Sequence, residues 1–224
     1  MAWPEWRGRR LDFLARLSLS DLQATTPIPW LPPSGALLFF YDAEHQPWGF
    51  DPADRGSCVV LHVAAGETHD ATSADEGAGE LFPRVDVRFQ AVSSLPSPER
   101  EPVSALSFSE EERESYDELR DAVHGNAPKH QVGGFPFPVQ NDTMELEAQL
   151  ASNGLYCGDG SGYVDPRAQA LAPGASDWRL LLQLDTDDDA GVMWGDCGTL
   201  YIWVRIQDAP QGRFDNPWLI LQCS

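Results

Sequence analysis

The chain has 224 residues, 35 of them acidic and 15 basic, for a net charge of −20, while 42% are hydrophobic and eight are Trp. That apolar and aromatic content excludes an acidic disordered chain and suffices for a sizeable core. A single Lys and no basic run beyond Arg7, Arg9 and Arg10 disfavour binding of DNA or RNA, which needs clustered cations to displace counterions from phosphates.

In chain order, Leu11, Phe13, Ala15, Leu17 and Leu19 alternate with polar residues and predict a strand with one buried face. Asp21 and Leu22 then lead into a Pro-rich turn. Ala36–Tyr41 is a continuous apolar run, predicting a strand buried on both faces, and Cys58–Val63 predicts a third strand. The small polar residues from 64 to 80 read as a flexible surface loop, after which Val85, Val87 and Phe89 alternate and predict another strand. Ser109 with Glu112 three residues on forms a capping box for a helix ending at His124–Gly125, with Tyr116, Leu119 and Val123 on its apolar stripe. A second helix is predicted from Asp142 to just before Asn153. Gly158, Gly160 and Gly162 read as turns, and Trp178–Leu184, Thr199–Ile206 and Trp218–Gln222 as three strands.

The charge is uneven: residues 1–66 carry −2, residues 67–121 carry −10 and the remainder −8. Such a field keeps a protein soluble, repels an anionic membrane surface, and favours a basic protein partner or a divalent cation. Leu22–Tyr41, the longest uncharged stretch, is broken by four Pro and a Gly, so no transmembrane span is expected, and the N-terminus lacks the apolar core of a signal peptide. Cys58, Cys157, Cys197 and Cys223 are widely spaced without a C-x-x-C pair, which reads as free thiols in a reducing cytoplasm.

The two ends of the chain repeat each other. Residues 11–63 and 178–222 share strand order, a Gly opening the central strand (Gly35, Gly198) and a Phe-Asp pair after it (Phe50-Asp51, Phe214-Asp215). The expected architecture is α+β: one domain of two pseudo-repeated antiparallel sheet units packed together with two or three helices, connected by the acidic segment 64–128. A cleft between the halves is the natural binding location.

The C-terminal half, with HQVGGFPFPVQND, WRLLLQLDTDDDAGVMWGDCGTLYIWV and RFDNPWLILQC, resembles the YwqG-like family of uncharacterised bacterial proteins, and Leu11–Val63 resembles its first half less strongly. The resemblance implies an α+β fold with internal duplication and no established activity.

Asp185, Asp187, Asp189 and Asp196 fall at positions 1, 3, 5 and 12 of a calcium-loop spacing, but Ala190 stands where that loop needs Gly and the flanks read as strands. A hairpin loop whose Asp side chains bond nearby backbone amides is the competing reading. His45, His62, His69, His124 and His130 show no metal spacing, Ser161 lacks a nucleophile-elbow context, and the Gly-rich stretch fits neither a dinucleotide fingerprint nor a phosphate loop, so no catalytic residue, metal or cofactor is assigned. The candidate binding residues are His130, Asp187, Asp188, Trp194 and Asp196. The expected function is that of a cytoplasmic binding protein engaging a protein partner, such as a basic toxin met by an immunity protein, through its acidic surface and the cleft. The alternative is a hydrolase or other enzyme, acting on a small cationic or metal-bound substrate, that uses the clustered Asp side chains with His130 in the cleft.

Overall fold

The computed structural model describes residues 2–67, 82–126 and 128–224. A short hairpin of β1 (Glu5–Trp6) and β2 (Arg9–Arg10) leads into β3 (Asp12–Ser18), helix α1 (Leu19–Thr25), β4 (Ala36–Tyr41) and β5 (Cys58–Val63). Helix α2 (Glu110–His124) and β6 (Gln131–Val132) follow, then α3 (Met144–Ser152), α4 (Ser161–Val164), α5 (Ala168–Leu171), β7 (Trp178–Asp185), β8 (Thr199–Arg205) and β9 (Trp218–Gln222). The fold is α+β. One antiparallel sheet has the order β3-β4-β5 and a second has the order β6-β7-β8-β9.

Side-chain alternation builds four layers. Leu37, Phe39 and Tyr41 of β4 meet Leu200, Ile202 and Val204 of β8 in the core between the sheets. The intervening Leu38 and Phe40 point the other way, where Trp3, Trp6 and Phe13 cover them. On the far face of the second sheet, Tyr201 and Trp203 pack against Met144, Ala148 and Ala151 of α3. Both central strands therefore bury both faces, which is why each reads as an unbroken apolar run.

The two meanders correspond strand for strand. The register shifts once in the first strand of each, between Phe13 and Ala15 and between Leu180 and Leu182. The glycines that open the central strands are needed for the same reason in both. A Cβ at Gly35 would lie 2.4 Å from the Val63 carbonyl oxygen, and one at Gly198 would lie 2.3 Å from that of Gln222. A further close approach joins the halves: Trp218 Nε1 donates to the Gly49 carbonyl (2.7 Å), and the Leu221 amide donates to the Trp48 carbonyl (3.0 Å).

Several sequence expectations are corrected. Val85–Phe89 forms no strand; it has no ladder partner among the described residues, and Val85 and Val87 stand 48% and 66% exposed. Alternation supplies a face to bury, whereas a strand also requires a neighbour for its backbone. Helix α1 was hidden within what reads as a strand end and turn; Ser18 caps it, its side chain accepting from the Asp21 amide. Helix α2 has the predicted bounds and a complete capping box, yet Leu119 faces out and Arg120 is buried instead, its guanidinium 5.3 Å from the Phe137 ring centre. Helix α3 starts at Met144 rather than Asp142, because the Asp142 carboxylate is taken by Arg100 and Ser97. The Gly-rich stretch is not all turn, since Ser161–Val164 closes one helical turn. Most of the loop read over 64–80 lies outside the described residues. All four cysteines are free, with Cys197 exposed and the others buried. No helix among the described residues is long and apolar enough to cross a membrane.

Candidate binding groove

Between the two sheets opens a groove of about 1930 Å³. One wall is β3 along its whole length, the other is formed by β6, the end of β7 and the turn that follows, and residues 82–92 pass over it. Its apolar lining includes Leu14, Ile28, Phe89, Val132, Leu182 and Val192. Among the described residues, strand β3 pairs with β4 alone, so its other edge, seven residues long, presents amides and carbonyls without a ladder partner to the groove. The overlying segment is held at its ends: the Phe82 ring meets Trp194 edge-on at 5.6 Å, and Ser94 Oγ accepts from the Phe135 amide at 2.8 Å.

His130 and Asp187 meet on the rim. The Asp185 amide donates to His130 Nδ1 at 3.0 Å, so that nitrogen carries the lone pair and Nε2 carries the proton, which it directs to Asp187 Oδ2 at 3.1 Å. The other carboxylate oxygen of Asp187 accepts from the amides of Asp189 (2.9 Å) and Ala190 (3.3 Å). The hydrogen bond from His130, with these amides, holds the Asp187 carboxyl below its ordinary pKa. Both His130 nitrogens are thus engaged, and the pair braces the β7–β8 turn.

The other sequence candidates are placed apart from that pair. Asp188 is exposed on the same turn, outside the groove lining. Trp194 is fully buried beneath it, edge-on to Tyr41 at 6.1 Å, so it fills core volume. Asp196 is exposed, and its backbone carbonyl accepts from the Ser224 amide. The calcium-like spacing is used for local hydrogen bonds. Asp185 accepts from the Lys129 amide (2.8 Å) and Thr199 Oγ1 (2.7 Å), and Asp187 closes its own turn. Among the described residues, no group of three His, Cys, Asp or Glu side chains is placed to hold a metal ion.

Two further polar clusters flank the core. Arg9 joins Asp12, buried Asp42 and Glu44 at one end of β3, each at 2.9 Å. Behind the second sheet, Glu147 is 1% exposed; its Oε1 accepts from Thr143 Oγ1 (2.9 Å) and Tyr163 Oη (3.2 Å), while Oε2 has no partner. Burial raises the Glu147 pKa and pushes the neighbouring Cys157 thiol up to about 11, which disfavours the reactive thiolate.

Residues 1–223 match the family model described as Domain of unknown function (DUF1963). The chain belongs to that family. No curated protein matches it. The DUF1963 match spans β1 to β9 and therefore takes in both groove walls. The groove is thus internal to the DUF1963 domain and does not lie at its boundary with another unit. Sequence reasoning missed the groove-lining residues Leu14, Arg16 and Arg88. Alternation marks β3 as a strand, but which edge stays unpaired depends on where the second sheet docks.

Proposed function

We propose that this DUF1963 protein is a cytoplasmic, non-enzymatic binding protein of YwqG-like type whose groove receives a segment of a protein partner. The observation that carries the reading is the groove itself, apolar-walled and bordered by an unpaired strand edge, which is the surface a protein segment can complete with main-chain hydrogen bonds. The exposed carboxylates of Glu110, Glu111, Glu114 and Glu118 on α2 add a field that would steer a partner whose body is basic. The matched meanders support a single domain that arose by internal duplication, with the groove at the junction of its halves.

The hydrolase reading draws less support. Of His130, Asp187, Asp188 and Asp196 only the first two line the groove, and the two His130 nitrogens are already engaged.

The test is affinity capture from the source cell at low and moderate salt, repeated with Leu14→Asp and with exposed Val87→Asp. A partner retained by the native protein and lost with both variants is the expected result. Capture of no partner by the folded native protein, or capture indifferent to both substitutions, would refute the proposal.

A further inference from the structure

The second sheet has a strand that the first lacks. Strand β6 covers β7 at Val132↔Leu182 and Gln131↔Gln183, whereas β3, the counterpart of β7, has no such neighbour among the described residues. The position beside β3 is the groove. Charge at that position differs from the rest of the molecule. Arg9, Arg100, Arg113, Arg167 and Arg213 are tied to carboxylates, Arg7, Arg55 and Arg179 to backbone carbonyls, and Arg205 to both. Arg16 and Arg88 are exposed and, among the described residues, engage no carboxylate, carbonyl or ring. Both line the groove, Arg16 from β3 and Arg88 from the segment passing over it. Asp21 is the one groove-lining carboxylate that is likewise without an ion-pair partner among the described residues, so the uncommitted balance is positive. In a protein of net charge −20, that excess marks where an anionic group is met.

We propose that the groove takes an extended peptide segment that adds to β3 as a strand, burying alternate apolar side chains beside Leu14 and Val132 and setting a carboxylate side chain between Arg16 and Arg88. This rests on the partner-binding reading above and names the chemistry of the bound segment: acidic and aliphatic in alternation, whatever the charge of the partner's body. The seven residues of β3 extend about 23 Å at the usual strand rise, so a segment of six or seven residues suffices. The ladder supplies affinity without regard to sequence. Specificity comes from the alternation and from the two guanidiniums.

The probes are two blocked hexapeptides, one alternating Val with Glu and one alternating Val with Lys, titrated into the full chain by calorimetry. Amide exchange of β3 is followed by NMR. The Glu peptide is expected to bind and the Lys peptide not to bind, with slowed exchange at the β3 amides that do not face β4. An exposed charge pair is worth up to about 1 kcal/mol, so Arg16→Ala and Arg88→Ala are each expected to weaken the Glu peptide roughly fivefold. Both positions are exposed, so neither change threatens folding. Equal binding of the two peptides, unchanged affinity in both Arg variants, or binding without β3 protection overturns the inference. If the Glu peptide does not bind while capture of a partner still depends on Leu14 and Val87, the inference fails and the partner-binding reading stands.

Discussion

The contact between the first-half loop and β9 is tight enough to fix a number. Gly49 has φ +82°, and a Cβ placed there would sit 1.7 Å from the Leu219 carbonyl oxygen. Gly49→Ala therefore cannot be absorbed by a rotamer change; loop and strand must separate. The left-handed backbone costs Ala roughly 1 kcal/mol. Separation also weakens the Trp218 Nε1 to Gly49 bond and the Leu221 to Trp48 bond at about 1 kcal/mol each, with about another 1 kcal/mol for a buried indole N–H left unpaired. The total is about 4 kcal/mol, which for a chain of this size lowers the melting temperature by about 8–16 °C. Gly154→Ala is the control, because Gly154 has φ +88° with nothing within 4 Å of a Cβ, so it carries the backbone cost alone and should lose only about 2–4 °C. Thermal unfolding followed by near-ultraviolet circular dichroism compares the two. Equal shifts for both variants would show that the close approach at Gly49 contributes nothing.

Two titratable groups give pH-dependent predictions of opposite sign. Burial raises the Glu147 pKa, so its contribution is favourable while it is protonated in both folded and unfolded chains and is lost as pH rises through the folded value. Glu147→Gln should thus raise the melting temperature by about 2–4 °C at pH 8, equivalent to roughly 1 kcal/mol, and leave it unchanged near pH 4; a loss at pH 8 would contradict this. The Asp187 pKa is lowered by its bonds to His130 and to two backbone amides, so it stabilises the fold above the unfolded carboxylate value, and that contribution is lost as pH falls through the folded one. Asp187→Asn is expected to cost up to about 1 kcal/mol at pH 7, with native and variant proteins converging as pH falls through the lowered folded value. A constant difference across that range would mean that the carboxylate charge is not what matters.

Local chemistry made much of this fold readable, and pairing made the rest unreadable. Ser109 with Glu112 marks the α2 start because both halves of a capping box lie within four residues. Ala36–Tyr41 and Trp218–Gln222 read as strands because burial on both faces leaves no polar position to blur the pattern. Val85–Phe89 carries the alternation of a strand and is none, since it pairs with no strand among the described residues. Asp142 looks like a helix cap, yet Arg100, 42 residues earlier in the chain, takes it. His130 and Asp187 stood out by residue type and do meet, 57 residues apart in sequence. Trp194 stood out by type too, but an aromatic residue beside a strand is as useful to a core as to a ligand, and here the core has it. Arg16 had no distinguishing local signal. What sets it apart is that nearly every other cation is spent, a property of the assembled charge network.

That network separates two roles for charge. The buried carboxylates Asp42 and Asp142 are matched by guanidiniums, Arg9 and Arg100, whereas buried Glu147 meets only hydroxyls. Matched charges contribute little to the field at a distance. The net charge felt by an approaching molecule therefore comes from exposed acids, such as those of α2 and the β7–β8 turn, and salt screens it within about 10 Å at moderate ionic strength. The groove is different, because its walls are largely apolar and, among the described residues, its uncommitted guanidiniums, Arg16 and Arg88, outnumber its one uncommitted carboxylate, Asp21. A partner guided by the outer field would thus meet a site of the opposite preference once it arrived. Under the proposed binding mode, salt should mainly slow association, whereas substitutions at Leu14, Arg16 or Arg88 should mainly speed dissociation, because field and groove act at different stages of the same encounter.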